Sequence, residues 1–209
     1  MPSPRSEIQN PKCRPVIGLL GGVGAGKSLV ASQFARLGCA VVDADRLGHE
    51  LLREPGIRQA IRERFGEAVF DRAGRVNRRR LGEVVFSRPE KRAALEAIVH
   101  PPLWTRVVAA LEAARQTDVP AVVLDAALIL EKGLDKHCDF LVYIKVPQGV
   151  RRSRAGQSRG WGASEVSRRE AAQISLKAKQ CRADYSIDNR TSPEHTFEQV
   201  RTILSRIVK

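Results

Sequence analysis

The stretch Gly18–Val30, GLLGGVGAGKSLV, restricts the possible folds of this chain more than any other. Gly21, Gly26, Lys27 and Ser28 fit the pattern G-x-x-x-x-G-K-[ST]. Such a loop cradles phosphates only where a buried strand runs into it and a helix starts from it. Backbone N–H groups and the positive helix end then converge on the anion. Both flanks can be read. The apolar run Pro15–Leu20 has the character of a buried strand. Beyond the loop, Val30, Phe34 and Leu37 recur at i, i+4 and i+7, a helical face stopped by Gly38. CAVVDAD, from Cys39, reads as a second strand ending in acids. Strand, glycine loop, helix and strand form a βαβ unit, and parallel strands of that kind are buried.

From about Leu47 to Arg115 the pattern is helical. Leu51, Ile57, Ile61 and Phe65 share one face, Leu81, Val84 and Val85 another, and DRAG marks a turn. PEKRAALEAIV reads as a helix entered at Pro89 and stopped by HPP, with a further helix carrying Trp104, Val107, Val108 and Leu111. Strand patterns return at Pro120–Leu130, at DFLVYIKVP and in ADYSIDN. Phe197, Val200, Ile203, Leu204 and Ile207 line a closing helix. The expected class is α/β: a P-loop NTPase-type parallel sheet with helices on both faces, plus a helical lobe and an arginine-rich lid.

The chain has 209 residues, which suits one globular unit with a lobe. No apolar run approaches the roughly 18 residues needed to span a membrane. The polar, Pro-rich start has no apolar core, so it is not a secretory signal, and residues 1–14 read as a loose tail. Cys13, Cys39, Cys138 and Cys181 are scattered, as befits reduced thiols in a cytoplasm. A net charge of +13 calls for polyanionic partners. Aromatic residues are only 5%, thin for base-stacking platforms.

The chemistry-bearing residues follow from the loop. Lys27 reaches β/γ-phosphates and the Ser28 hydroxyl ligates Mg²⁺ in loops of this pattern. Leu29 stands where a second hydroxyl can donate to the α-phosphate, and one such bond is worth about 0.5–1.5 kcal/mol. Asp43 and Asp45 fall near the carboxyl ends of the strands, where ligands of open parallel sheets bind. Either can serve as a base for an attacking hydroxyl, and an Asp before RLGHELL is also a good helix cap. Asp125, at the end of another strand, is placed as an Mg²⁺-supporting acid, and Glu131 follows it. Arg151, Arg152, Arg154, Arg159, Arg168 and Arg169 suit a lid over a transferring phosphate, a solvated helix face or a nucleic-acid surface. DRLG and DRAG spell D-x-x-G, but no N-K-x-D accompanies them to read guanine.

An ordered set of segments from about Val16 to Val200 resembles the dephospho-coenzyme A kinase family. The segments are IGLLGGVGAGKS, GCAVVDADRLGHEL, RFGEAVFDRAGRVNRRRLGEVVF, LEAIVHPPL, VVLDAALILEKGLDKHCD and AAQISLKAKQCRADYSIDN. The resemblance implies ATP-dependent phosphorylation of the ribose 3′-hydroxyl of dephospho-coenzyme A, with Mg²⁺. It makes Asp45 the base, places Gly22 and Gly24, Ala25, Gly26, Lys27, Ser28 and Leu29 in the ATP phosphate loop, and puts Arg78, His100 and Glu131 on the acceptor side. Asn189 falls at the adenine end. Lys27 with Arg154 or Arg159 neutralises the γ-phosphate, and Ser28 and Asp125 take the metal. A single kinase domain over 15–209 follows: core 15–46, 116–147 and 183–209, acceptor lobe 47–115, lid 148–182. The sequence departs from the family at Leu20 and Leu29, each for Thr, at Ala127 for Pro, and at Arg190, where a small or turn-forming residue is common. Both substrates are polyanions, which accounts for the charge. The partner is then the small molecule, with neither nucleic acid nor membrane, and the chain a monomer or weak homo-oligomer. The competing readings are a kinase for another nucleoside or metabolite and a nucleic-acid-binding ATPase.

Overall fold

The computed structural model describes residues 13–86 and 88–209, the side chains of Phe86 and Arg159 excepted. Residues 1–12 of the expected tail therefore lie outside the described residues. Cys13 and Arg14 do not behave as tail. Arg14 donates from its backbone to the Arg115 carbonyl at 3.3 Å and pairs with Asp118 at 2.7 Å.

The chain forms two compact units. One holds residues 13–43 with Leu111–Lys209, and the other holds Ala44–Ala110.

The first unit is built on five parallel strands: β1 (Val16–Leu20), β2 (Ala40–Asp43), β3 (Val122–Asp125), β4 (Phe140–Lys145) and β5 (Tyr185–Asp188). Their order is β2-β3-β1-β4-β5. β1 is central and all five of its residues are buried, as its unbroken apolar sequence requires. Its register pairs Gly18 with Leu124 on one side and with Leu141 on the other. Helix α1 (Lys27–Arg36) and the closing helix α9 (Pro193–Ile207) pack against the sheet. There Ile17, Leu19, Val123, Val142, Ile144 and Ile187 meet Val30 and Phe34 of α1 and Val200, Ile203, Leu204 and Ile207 of α9. Because every strand is parallel, all five carboxyl ends lie at one edge, and the loop Gly21–Gly26 leaves β1 at that edge. The lid segment folds as α6 (Gln148–Arg159), α7 (Ala163–Ala171) and α8 (Leu176–Arg182) within this unit. Ala155 and Val166 of the lid bury against Val23 of the loop, with Trp161 packed beside them.

The second unit holds α2 (Ala44–Leu51), α3 (Pro55–Phe65), a 3-10 turn over Glu67–Val69, α4 (Arg78–Phe86) and α5 (Pro89–Arg115) as far as Ala110. Its core is Ile61, Val69, Phe70, Leu81 and Val85, lined by Ile57, Phe65, Leu95 and Ile98. The DRAG turn forms as expected. Asp71 Oδ1 accepts the backbone N–H groups of Ala73 and Arg75, both at 2.9 Å, and Phe70 bridges to Val76. The Arg75 N–H, the leading cause, holds the Asp71 carboxyl below the usual carboxylate range.

One expectation fails. HPP does not stop a helix: α5 runs unbroken from Pro89 to Arg115 with Pro101 and Pro102 inside it. Proline's φ is itself helical, and its cost is two missing N–H donors and a local clash. Apolar anchors on either side outweigh that cost. Leu95 and Ile98 pack into the lobe core, and beyond the prolines Leu103, Val107 and Leu111 are 8%, 0% and 1% exposed. The Thr105 hydroxyl also takes up the Pro101 carbonyl at 3.1 Å.

Candidate active site

The phosphate loop depends on two left-handed residues, Gly24 at φ 73° and Gly26 at φ 84°. A side chain at either is strained. A Cβ at Gly26 would also lie 2.5 Å from Asn189 Nδ2, and one at Gly24 would run into the Arg151 carbonyl. Gly26 caps α1 without any side-chain hydrogen bond, and the first turn holds no acid. The first amides of a helix have no intrahelical acceptor, and Gly26 as N-cap has no side chain to offer them. Lys27 occupies the position where a cation is least favourable against the helix dipole. A helix start that is uncapped, glycine-led and occupied by lysine is suited to a bound polyanion. Ser28 is exposed in that turn, and Leu29 beside it is 37% exposed.

Two acids stand at the same edge of the sheet. Asp43 ends β2 and Asp125 ends β3, and the two are register partners. Asp125 is 9% exposed. A carboxylate such as Asp125 and a hydroxyl such as that of Ser28 are oxygen donors of the kind Mg²⁺ prefers. The turn after β3 closes without the proline that Ala127 replaces: Lys132 donates to the Leu128 carbonyl at 3.1 Å and Leu134 to Ile129 at 2.8 Å.

Asn189 is 1% exposed, and its amide is engaged inside the protein. Nδ2 donates to the Ala25 carbonyl at 2.9 Å and Oδ1 accepts the Thr196 hydroxyl at 3.0 Å. Its own carbonyl accepts Arg154 Nη1 at 2.9 Å. Asn189 thus joins the loop, the lid and α9. Arg190 folds back on Asp188, with Nε at 2.9 and 2.8 Å from the two carboxylate oxygens. That bond is the leading cause holding the Asp188 carboxyl below its usual range.

The lid arginines divide by environment. Arg151 is 3% exposed and paired with Glu170. Arg168 and Arg169 both pair with Glu165, and Arg169 lies 3.9 Å over the Trp161 ring. Arg154 reaches the loop side through Asn189, whereas the Arg159 side chain lies outside the described residues. Glu131 is tied to the lid: Oε1 accepts the Ile174 N–H at 2.8 Å and pairs with Lys179 at 3.1 Å. Lys179, 2% exposed, also donates to Gln173 at 2.9 Å. A cavity of about 420 Å³ opens here, lined by Val146, Gln148, Arg151, Glu170, Gln173 and Leu176. Gln173 and Lys179 stand in the sequence only as letters of the segment AAQISLKAKQCRADYSIDN. Nothing in sequence spacing announced their meeting with Glu131, or the burial of Arg151.

The remaining candidates belong to the second unit. Asp45 is exposed in the first turn of α2, so the strand ends at Asp43 and the second acid is helical. Arg78 is exposed and begins α4, where Asn77 Oδ1 caps the Arg80 N–H at 3.2 Å. His100 precedes the two prolines in α5, with Nδ1 3.8 Å from the Glu96 carboxylate and its ring centroid 5.2 Å from that of Trp104.

Comparison with known proteins decides the family. The dephospho-CoA kinase family profile matches residues 15–194. The chain belongs to the dephospho-CoA kinase family. The dephospho-CoA kinase of Symbiobacterium thermophilum is 39% identical over 187 residues, 88% of this chain and 78% of that protein. That of Bacillus licheniformis is 39% identical over 191 residues, 90% of this chain and 94% of the relative. The crystal structure of TT1252 from Thermus thermophilus superposes with a TM-score of 0.78 at 31% identity, covering 93% of this chain and 98% of that one. As a dephospho-CoA kinase family member with a P-loop at the carboxyl edge of a parallel sheet, this chain is a kinase. Among the described residues no helix is long and apolar enough to cross a membrane.

Proposed function

We propose that this chain transfers the γ-phosphoryl group of ATP to the ribose 3′-hydroxyl of dephospho-coenzyme A, giving coenzyme A and ADP. The supporting observation is the loop at α1, with two left-handed glycines, no cap and Lys27 in the first turn, at the sheet edge where Asp43 and Asp125 stand in register. The acceptor is assigned from the relatives' activity.

Loop amides and Lys27 bind the β- and γ-phosphates, which fixes the donor for in-line attack. Ser28 and Asp125 would hold Mg²⁺, which would supply positive charge to the phosphates during transfer. Asp45, two residues past β2, takes the proton of the 3′-hydroxyl. The new bond joins that oxygen to the γ-phosphorus, the bond to the β–γ bridging oxygen breaks, and ADP leaves. Arg154 is the lid arginine assigned to the transferring group: one N–H holds Asn189, and the rest of its five-donor fork remains for phosphate oxygens. Arg78, His100 and Glu131 line the acceptor side. The setting is the cytoplasm, in keeping with four unpaired thiols.

A coupled ADP-release assay tests the reaction. ADP appears with dephospho-coenzyme A and not with nucleosides or shikimate, and added RNA or DNA leaves the rate unchanged. No release with dephospho-coenzyme A refutes the assignment.

A further inference from the structure

Arg151 sits directly against the phosphate loop. It lies in the first turn of α6 and is 3% exposed. Nη1 donates to the Val23 carbonyl at 3.1 Å and the same nitrogen pairs with Glu170 of α7. Nε is buried with no hydrogen-bond partner among the described residues. The guanidinium touches the loop backbone, since a Cβ at Gly22 would lie 2.5 Å from Nη1. Val23 in turn packs its side chain among Ala155 and Val166. The lid helices therefore hold Gly22–Gly24 by one charged hydrogen bond and one apolar contact.

Peptide planarity gives that hydrogen bond a consequence. In a trans peptide the C=O and the following N–H point in opposite directions. Holding the Val23 carbonyl on Arg151 turns the Gly24 N–H away from the lid arginine. A buried guanidinium needs a counter-charge, and Glu170 supplies it. We infer that Arg151 is a positioning residue for the phosphate loop: it aims the Gly24 N–H at the nucleotide, and Glu170 keeps it seated. The inference rests on the proposed use of the loop for ATP.

The test compares four variants of the full chain: Arg151→Met, Glu170→Leu, the double Arg151→Met/Glu170→Leu and the double Arg151→Gln/Glu170→Leu. The measurements are the melting temperature, the Kd for methylanthraniloyl-ADP, and KM for each substrate. Arg151→Met alone leaves the Glu170 carboxylate without its cation and lowers the melting temperature. The apolar double variant returns the melting temperature to near the parent value. Its Kd for the fluorescent nucleotide stays about tenfold or more above the parent, because the Val23 carbonyl has lost a charged donor. KM for the acceptor is unchanged. Arg151→Gln/Glu170→Leu restores most of the affinity, since a neutral amide can still donate to Val23. Recovery of nucleotide affinity together with stability in the apolar double variant would overturn the inference, by showing a purely structural pair. Equal loss of affinity in the two double variants would overturn it as well. Binding of the fluorescent nucleotide needs no acceptor. Failure of turnover with dephospho-coenzyme A would therefore count against the reaction and not against this role.

Discussion

Asn189→Ala should cost both stability and nucleotide affinity, and the structure sets the scale. The substitution removes two neutral hydrogen bonds from a residue 1% exposed: Nδ2 to the Ala25 carbonyl at 2.9 Å and the Thr196 hydroxyl to Oδ1 at 3.0 Å. Thr196 keeps the Ser192 carbonyl as an acceptor at 3.1 Å, so only the Ala25 side is orphaned. One lost bond of about 1 kcal/mol and one stranded carbonyl at about 1–3 kcal/mol give a total of about 2–4 kcal/mol. For a chain of this size that lowers Tm by about 4–16 °C. Asn189→Asp should be worse than alanine. It keeps the shape but turns an acceptor toward the Ala25 carbonyl in a buried site. Thermal unfolding followed by circular dichroism reads the first effect, and KM for ATP in the coupled assay reads the second. If Asn189→Asp melts with the parent, the amide does not hold Ala25. If Tm falls and KM for ATP stays unchanged, Asn189 supports the fold without shaping the loop.

Asp45→Asn should lower kcat by 10²-fold or more with KM for ATP little changed, as for a lost general base; an unchanged kcat in steady-state assays removes Asp45 from the mechanism. Leu29→Thr should lower KM for ATP by about 2–10-fold, the worth of one hydrogen bond. Leu29 is 37% exposed, so Tm should stay put, and an unaltered KM means the hydroxyl has no phosphate to meet. Burial pushes the Cys39 thiol up to about 11, from 9.0. The folded value is the higher one, so the associated stability is whole below about pH 9 and is lost as pH rises toward about 11. Urea midpoints across that range should fall less steeply in Cys39→Ala than in the parent, and parallel curves would contradict the shift.

The sheet was legible because its signals are local. A run such as Val16–Leu20 can only be a buried strand once a glycine loop and an amphipathic helix follow it. The loop itself was legible for the same reason. The HPP segment was misread because propensity is a local quantity, whereas the continuity of α5 is decided by what Leu95, Ile98, Val107 and Leu111 bury on either side of the prolines. Asp43 and Asp45 could not be told apart by spacing. A shift of two residues moves a carboxylate from a strand end to a helix turn, and the junction is set by where the β2 ladder stops at its Asp125 partner. The lid was legible as charge and not as contacts. Arg151, Arg154 and Arg169 look alike in sequence, yet one is buried, one reaches Asn189 and one stacks on Trp161. Tertiary packing alone separates them.

The paired prolines of α5 also bear on the mechanics of the lobe. Pro101 and Pro102 bring no N–H to the carbonyls of Ala97 and Ile98. Elsewhere along this 27-residue rod, flexing strains a rung of its own ladder; at this step two rungs are absent. The helix is a stiff beam with one compliant joint, and His100 is the residue mounted on it. Bending of α5 at that step breaks fewer backbone hydrogen bonds than bending elsewhere along the helix.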